Sequence, residues 1–189
     1  GYVSENSGYH HGESSLNGAI INLAQDYVGS NNMNLLIPSG QFGTRLNGGK
    51  DHAAERYIFT YLNKITRHLF IKDDDAVLHY LNDDGTLVEP QFYVPIIPLI
   101  LVNGAKGIGT GFSTDIPSYN PIDIITYIEC ELSGEKHSHE LIPYYKGFKG
   151  TITKEDTHQY MSHGKYSITG TKLLITELPI HIWTDDYKK

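Results

Sequence analysis

Arg56 and Tyr57 stand side by side in Glu55-Arg56-Tyr57-Ile58-Phe59-Thr60, and together they could attack a phosphodiester. A phenol has an ordinary pKa of about 10, so it needs a proton acceptor or electrostatic help before its oxygen reaches phosphorus. A guanidinium holds its own proton; it suits stabilisation of the pentavalent phosphorane rather than base catalysis. His10 or His11 could take that proton or orient the phosphate if the fold brings them alongside. Residue type and spacing do not single Tyr57 out, because the chain holds 14 tyrosines and most tyrosines pack or lie on a surface.

Other clusters are weighed the same way. Tyr9-His10-His11-Gly12-Glu13 lacks the HExxH spacing of a zinc site, and with one cysteine the chain has no CxxC pair, so no residue is assigned to metal. His137-Ser138-His139 reads as a solvated polar loop. Gly104-Ala105-Lys106-Gly107-Ile108-Gly109-Thr110-Gly111 is neither GxxxxGK[ST] nor GxGxxG, which argues against nucleotide binding. Glycines around one isoleucine suit presentation of an apolar wedge. Such a wedge between base pairs kinks DNA at a cost of a few kcal/mol per unstacked step. Arg45 and Lys50, in a loop punctuated by Gly40, Gly43, Gly48 and Gly49, are expected to contact phosphates without reading sequence.

These residues need elements to hold them. Leu16, Ala19, Ile20, Leu23, Ala24 and Tyr27 predict an amphipathic helix over residues 13–28, with Gly29 as its left-handed cap. Residues 38–52 read as a long loop. A second helix is expected from residue 53 or 54, with Ile58, Tyr61, Leu62, Ile65 and Leu69 on one face and Tyr57 in its first turn. Residues 76–92 predict a β-hairpin turning at Asp83-Asp84-Gly85. Two helices with such a hairpin fit a helix-turn-helix with a wing. Beyond a boundary near residue 93, we expect a buried strand or short helix over 96–102, a helix over 121–132 and several strands over 149–178. The class is α+β: a winged-helix domain (1–92) and then a second α/β domain (93–189).

The 189 residues are ample for a sizeable core. No stretch of 18 apolar residues exists to span a membrane. Lone Cys130 excludes an internal disulfide and fits a reducing compartment. The opening at Gly1 without a signal peptide reads as an internal piece of a larger protein. The formal charge of −7 looks wrong for a nucleic-acid binder, but its distribution matters more. Residues 41–72 carry six Lys and Arg against Asp51 and Glu55, a net of +4, and residues 73–91 carry a net of −6. A basic surface can survive beside that acid.

The order of short words is more specific than any of them alone. Gly40-Gln41-Phe42-Gly43-Thr44-Arg45-Leu46-Asn47-Gly48-Gly49-Lys50-Asp51 followed by Glu55-Arg56-Tyr57-Ile58-Phe59-Thr60 resembles the breakage–reunion region of type IIA DNA topoisomerases of the eukaryotic kind. Tyr9 to Glu13, Ile21 to Gln25, Val88-Glu89-Pro90, Asn103 to Gly111, Phe148 to Ile152, and Glu177-Leu178-Pro179 with Trp183-Thr184 extend the likeness over essentially the whole chain. The resemblance implies that Tyr57 bonds covalently to a DNA 5′-phosphate, that Arg56 stabilises the transition state, and that Ile108 bends the DNA. It implies contacts to the DNA backbone from Tyr9, His10, His11 and Ser15. For Trp183 it implies a DNA contact, while the residue type alone would make it a core anchor. It makes the second domain the start of the family's tower. It further implies ATP-dependent passage of one duplex through another by a homodimer, with Mg²⁺ and ATP bound outside this segment, in the TOPRIM and ATPase regions of the same polypeptide. The place of action would be intracellular: the nucleus in a cellular eukaryote, the host cytoplasm or nucleus for a virus. A non-catalytic DNA-bending or dimerisation module of the same shape is the alternative. Asn47, Glu55 and Lys106 depart from the family's usual residues, and Glu55 would oppose a phosphate.

Overall fold

One helical turn, α1 (Tyr2–Glu5), precedes α2 (Glu13–Ala24) in the computed structural model, which describes residues 1–136 and 140–189. The expectation for 137–139 therefore lies outside the described residues. Helix α2 ends four residues short of Val28, for a polar reason. Asn31 Nδ2 donates to the carbonyls of Asn22 (2.6 Å) and Gln25 (2.9 Å), capping carbonyls that further turns would have used. Gly29 has φ 95°, but it lies beyond the helix and under the Trp183 ring instead of capping it.

The helix expected from residue 53 is not formed. Glu55–Tyr57 makes a single 3-10 turn, and strand β2 (Phe59–Leu62) follows it, paired antiparallel with β1 (Leu36–Ser39). The helical spacing of Ile58, Tyr61 and Leu62 is coincidental: Ile58 is buried whereas Tyr61 and Leu62 are exposed. A run of β-branched and aromatic residues favours a strand once a partner edge is available. Helix α3 (Thr66–Leu69) is all that remains of the predicted second helix.

The hairpin is present as β3 (Tyr80–Asp83) and β4 (Thr86–Pro90). Its turn residues Asp84 (φ 47°) and Gly85 (φ 89°) both adopt the left-handed conformation that suits a two-residue hairpin loop. Next comes a short helix, α4 (Leu99–Asn103), then a hairpin that the spacing of residues did not predict: β5 (Ala105–Gly109) and β6 (Phe112–Ile116). Helix α5 (Pro121–Ser133) matches expectation, because Asn120 accepts from the N–H of Ile122 (2.9 Å), Pro121 opens the first turn and Gly134 (φ 71°) closes the last. Four strands follow as two hairpins, β7 (Thr151–Asp156) with β8 (Gln159–His163) and β9 (Lys165–Thr169) with β10 (Lys172–Glu177); α6 (Thr184–Tyr187) comes last. The class is α+β, with small antiparallel sheets among helices.

Two apolar clusters hold these pieces. Ile21 and Ala24 of α2 pack with Phe42 and Ile58. Leu69, Ile97, Val102 and Ile124 form the second cluster, with Met33, Leu35 and Ile65 against them, so residues from both sides of position 93 share one core. A polar weld adds to it. The buried Asn32 amide faces the carbonyls of Val102 (2.9 Å), Tyr119 (3.1 Å) and Tyr144 (2.9 Å), and its oxygen accepts from the N–H of Lys146 (2.8 Å).

Candidate active site

Tyr57 is presented by what surrounds it. Its N–H bonds to Ala54 O (2.9 Å) to close the 3-10 turn, and the next side chain, Ile58, anchors in the α2 cluster. The phenol is thereby turned outward, with 66% of the residue exposed. The Arg56 guanidinium carbon lies 4.8 Å from the centroid of that ring. A cation over a phenol face contributes about 0.5–1 kcal/mol at an exposed site, enough to bias the guanidinium toward its neighbour. The two groups are therefore held as a pair, both open to an incoming phosphate. Tyr57 stands in a single 3-10 turn and not in the first turn of the expected helix.

His10 and His11 are both exposed. His10 Nε2 sits 3.6 Å from Asp83 Oδ2 at the β3–β4 turn, and the His11 ring meets the Tyr9 ring edge-on at 5.3 Å. Among the described residues, neither histidine bonds to Tyr57. Ser15 is exposed in the first turn of α2, its N–H on Gly12 O (3.0 Å).

The loop over 40–54 is tightly built. Gln25 Nε2 donates to Phe42 O (2.9 Å) and Gly49 O (3.2 Å). Asp51 accepts from the Thr44 N–H (2.8 Å) and hydroxyl (2.5 Å), and the hydroxyl bond chiefly holds its carboxyl below the usual carboxylate range. Burial pushes the Tyr27 phenol beside it upward, with Asp51 adding to the shift. Gly48 (φ 62°) lies flat under Trp183: a Cβ there would stand 2.3 Å from the indole. Lys50 leaves this scaffold with its side chain in solvent.

Two expected DNA contacts occupy different settings. The Arg45 guanidinium is already engaged, by an ion pair to the buried carboxylate of Glu177 and by a 2.8 Å bond from Nη2 to Leu178 O. Trp183 is half-buried, edge-on to Tyr27 at 5.9 Å and to His181 at 5.8 Å. Ile108 is the opposite case. It stands on β5 across from Ser113, 89% exposed, on a hairpin where a Cβ at Gly107 in the strand or at Gly111 in the turn would meet nothing within 4 Å.

No group of three or more His, Cys, Asp or Glu is arranged to hold a metal ion among the described residues. The site thus combines an exposed phenol paired with a guanidinium, a hydrogen-bonded basic loop and an exposed apolar finger. The family described as the DNA gyrase/topoisomerase IV A-subunit matches residues 1–189. The chain belongs to this family. It is 58% identical over its full length to DNA topoisomerase 2 of Arabidopsis thaliana, and 53% identical to the mitochondrial DNA topoisomerase 2 of Dictyostelium discoideum. It spans only 13% and 15% of those two proteins. A crystal structure of the DNA-binding, cleavage and re-ligation domain of Plasmodium falciparum topoisomerase II superposes on 99% of the chain with a TM-score of 0.95 at 52% identity, and the chain covers 26% of it. This topoisomerase fold is thus preserved in the segment that carries Tyr57.

Sequence reasoning missed the polar side chains that assemble the site. Gln25 and Glu177 fall at the ends of apolar runs, where a buried polar group demands a partner, whereas Asn32 sits in a polar stretch that gives no such sign. For Gln25 and Glu177 that pattern was the available signal, though it names no partner.

Proposed function

We propose that this chain is the DNA-cleaving segment of a type II topoisomerase, with Tyr57 as nucleophile. The observation that carries the reading is the exposed Tyr57 phenol beside the Arg56 guanidinium, in a member of this family. In the step itself, Tyr57 Oη attacks a backbone phosphorus and the bond from phosphorus to the 3′-oxygen breaks. The phenol's proton passes to an acceptor, for which His10 and His11 are the candidates, and the freed 3′-oxygen takes up a proton. The reverse step reseals the strand, so no phosphodiester energy is lost. Arg56 stabilises charge on the phosphorane. Tyr9, His10, His11, Ser15 and Lys50 hold the backbone, and Ile108 opens a base step to bend the duplex. Residues 1–92 act as a winged-helix unit and 93–189 as the start of a tower. Trp183 serves the same DNA-facing surface from beneath the loop.

The partners follow from this reading: double-stranded DNA, a second copy supplying the tyrosine for the other strand, and TOPRIM and ATPase regions that bind Mg²⁺ and ATP outside residues 1–189. No helix among the described residues is long and apolar enough to cross a membrane. As an enzyme acting on duplex DNA, the protein would work inside a cell: in the nucleus of a cellular eukaryote, or in the host cytoplasm or nucleus for a virus. The test is covalent capture. Full-length protein mixed with nicked duplex and Mg²⁺ is expected to give a protein–DNA adduct that Tyr57→Phe abolishes. An adduct persisting in the variant would remove Tyr57 from the role. No adduct in either protein, with binding and bending intact, would favour the non-catalytic bending module.

A further inference from the structure

Arg45 and Glu177 lie 132 residues apart in sequence, yet they make the ion pair that seats the basic loop on the strand end of β10. Glu177 is 7% exposed, and its second oxygen accepts from the Lys149 N–H at 3.3 Å, so its charge is committed on both sides. Around this pair the two segments are stitched again. Leu46 O accepts from the Asp185 N–H (3.1 Å), and the Trp183 indole closes over Gly48, leaving no space for a Cβ. From the other side, Gln25 holds the carbonyls of Phe42 and Gly49. Lys50 follows Gly49 directly, and its backbone position is therefore set by contacts from Gln25 at the end of α2, from β10 and from the 178–185 segment together.

We propose that Arg45 and Glu177 form a positioning clamp that aims Lys50 at the DNA backbone, so that Arg45 works behind the DNA-facing surface and not on it. This rests on the reading that the chain binds duplex DNA through its basic loop. It departs from simple electrostatics in sign. Removing the Glu177 charge adds one unit of positive charge to the protein, which by itself strengthens attraction to phosphate. It would also free the Arg45 guanidinium to reach DNA. The clamp demands the opposite result, because Lys50 loses its fixed position.

The experiment is duplex binding by the full-length protein across a salt series, with each variant's melting curve recorded alongside. Lys50→Ala sets the scale: it should lower the slope of log affinity against log salt by about one, as expected for a lost phosphate contact. Glu177→Gln, close in shape and able to keep the Lys149 bond, is expected to weaken binding by about threefold to tenfold and to remove most of the same slope. Tighter binding with a steeper slope would overturn the clamp and make Arg45 a direct phosphate contact. An unchanged slope would also overturn it, provided Lys50→Ala lowers the slope. If Lys50→Ala itself changes nothing, the basic-loop reading falls and takes the clamp with it. Should Glu177→Gln fail to fold, Arg45→Lys decides the question. It keeps the charge that a direct contact needs but cannot bridge Glu177 and Leu178 O at once. The clamp then predicts loss of slope, and a direct contact predicts none.

Discussion

Ile58 is 9% exposed in the α2 cluster and Tyr57, one residue earlier, is 66% exposed; the burial of the first turns the second toward solvent. Arg56 is held against the outward phenol, so its removal should affect reaction more than binding. We expect Arg56→Ala to slow adduct formation by about 10² to 10³, the range for losing one preorganised charge stabiliser, while duplex affinity falls far less. Equal losses in both would make Arg56 a plain phosphate contact. His181 gives a second residue-scale expectation. Desolvation of its ring holds its pKa below the ordinary value, against the opposing bond from Gly29. A depressed folded value means the unfolded chain binds the proton more tightly. Stability from this group is full above the ordinary histidine range and is lost as pH falls through the folded value. The backbone there is left-handed (φ 62°), which asparagine tolerates, so His181→Asn is the suitable comparison. The advantage of the wild type over His181→Asn in thermal melts should shrink from pH 7.5 to 5.5; a gap independent of pH would refute this.

The elements show where sequence spacing was informative and where it failed. Helix α5 was legible because its limits are local: an asparagine cap, a proline and a left-handed glycine. The β3–β4 turn was legible for the same reason. The stretch after Tyr57 was not, since Ile58, Tyr61 and Leu62 satisfy a helical period while the pairing of Tyr61 and Leu62 with β1 depends on residues more than twenty positions away. The β5–β6 hairpin escaped notice because glycines hide strand propensity. Its form yields a clean test. Ile108 touches so little that Ile108→Ala should change stability by less than about 0.5 kcal/mol. Bending of a bound duplex, followed by energy transfer between dyes at its ends, should be largely lost. Retained bending would move the wedge elsewhere. Gly48→Ala should behave in the contrary way, destabilising the protein by at least about 1 kcal/mol through both its left-handed backbone and the Trp183 ring.

For the molecule as a whole, the order of short words across the chain revealed the family, and the proposal for Tyr57 rests on that order. It did not reveal the architecture that makes the site rigid. Arg45 read as a cation for DNA because charge is visible in a sequence, whereas its buried partner Glu177 becomes visible only after folding. The core that spans position 93 likewise depends on contacts between Leu69 and residues such as Val102 and Ile124. Ile124 is 1% exposed there, so Ile124→Ala should cost about 2–5 kcal/mol. Since the cluster joins residues before and after 93, probes on both sides should lose their signals at one denaturant concentration. Two separate midpoints would show that the shared core does not couple them.

Asn32 has a consequence for how the protein ages. Its amide donates toward three carbonyls, and hydrolysis to a carboxylate would aim negative charge at all three with no donor left. The same bonds immobilise the side chain in the folded protein and keep it from reaching the next backbone nitrogen, the route by which asparagine deamidates. The damage is therefore taken while the chain is unfolded, and it bars the way back. Folding in time becomes a ratchet: protein held in urea at alkaline pH should refold in steadily lower yield, with the deamidated Asn32 peptide concentrated in the fraction that never recovers.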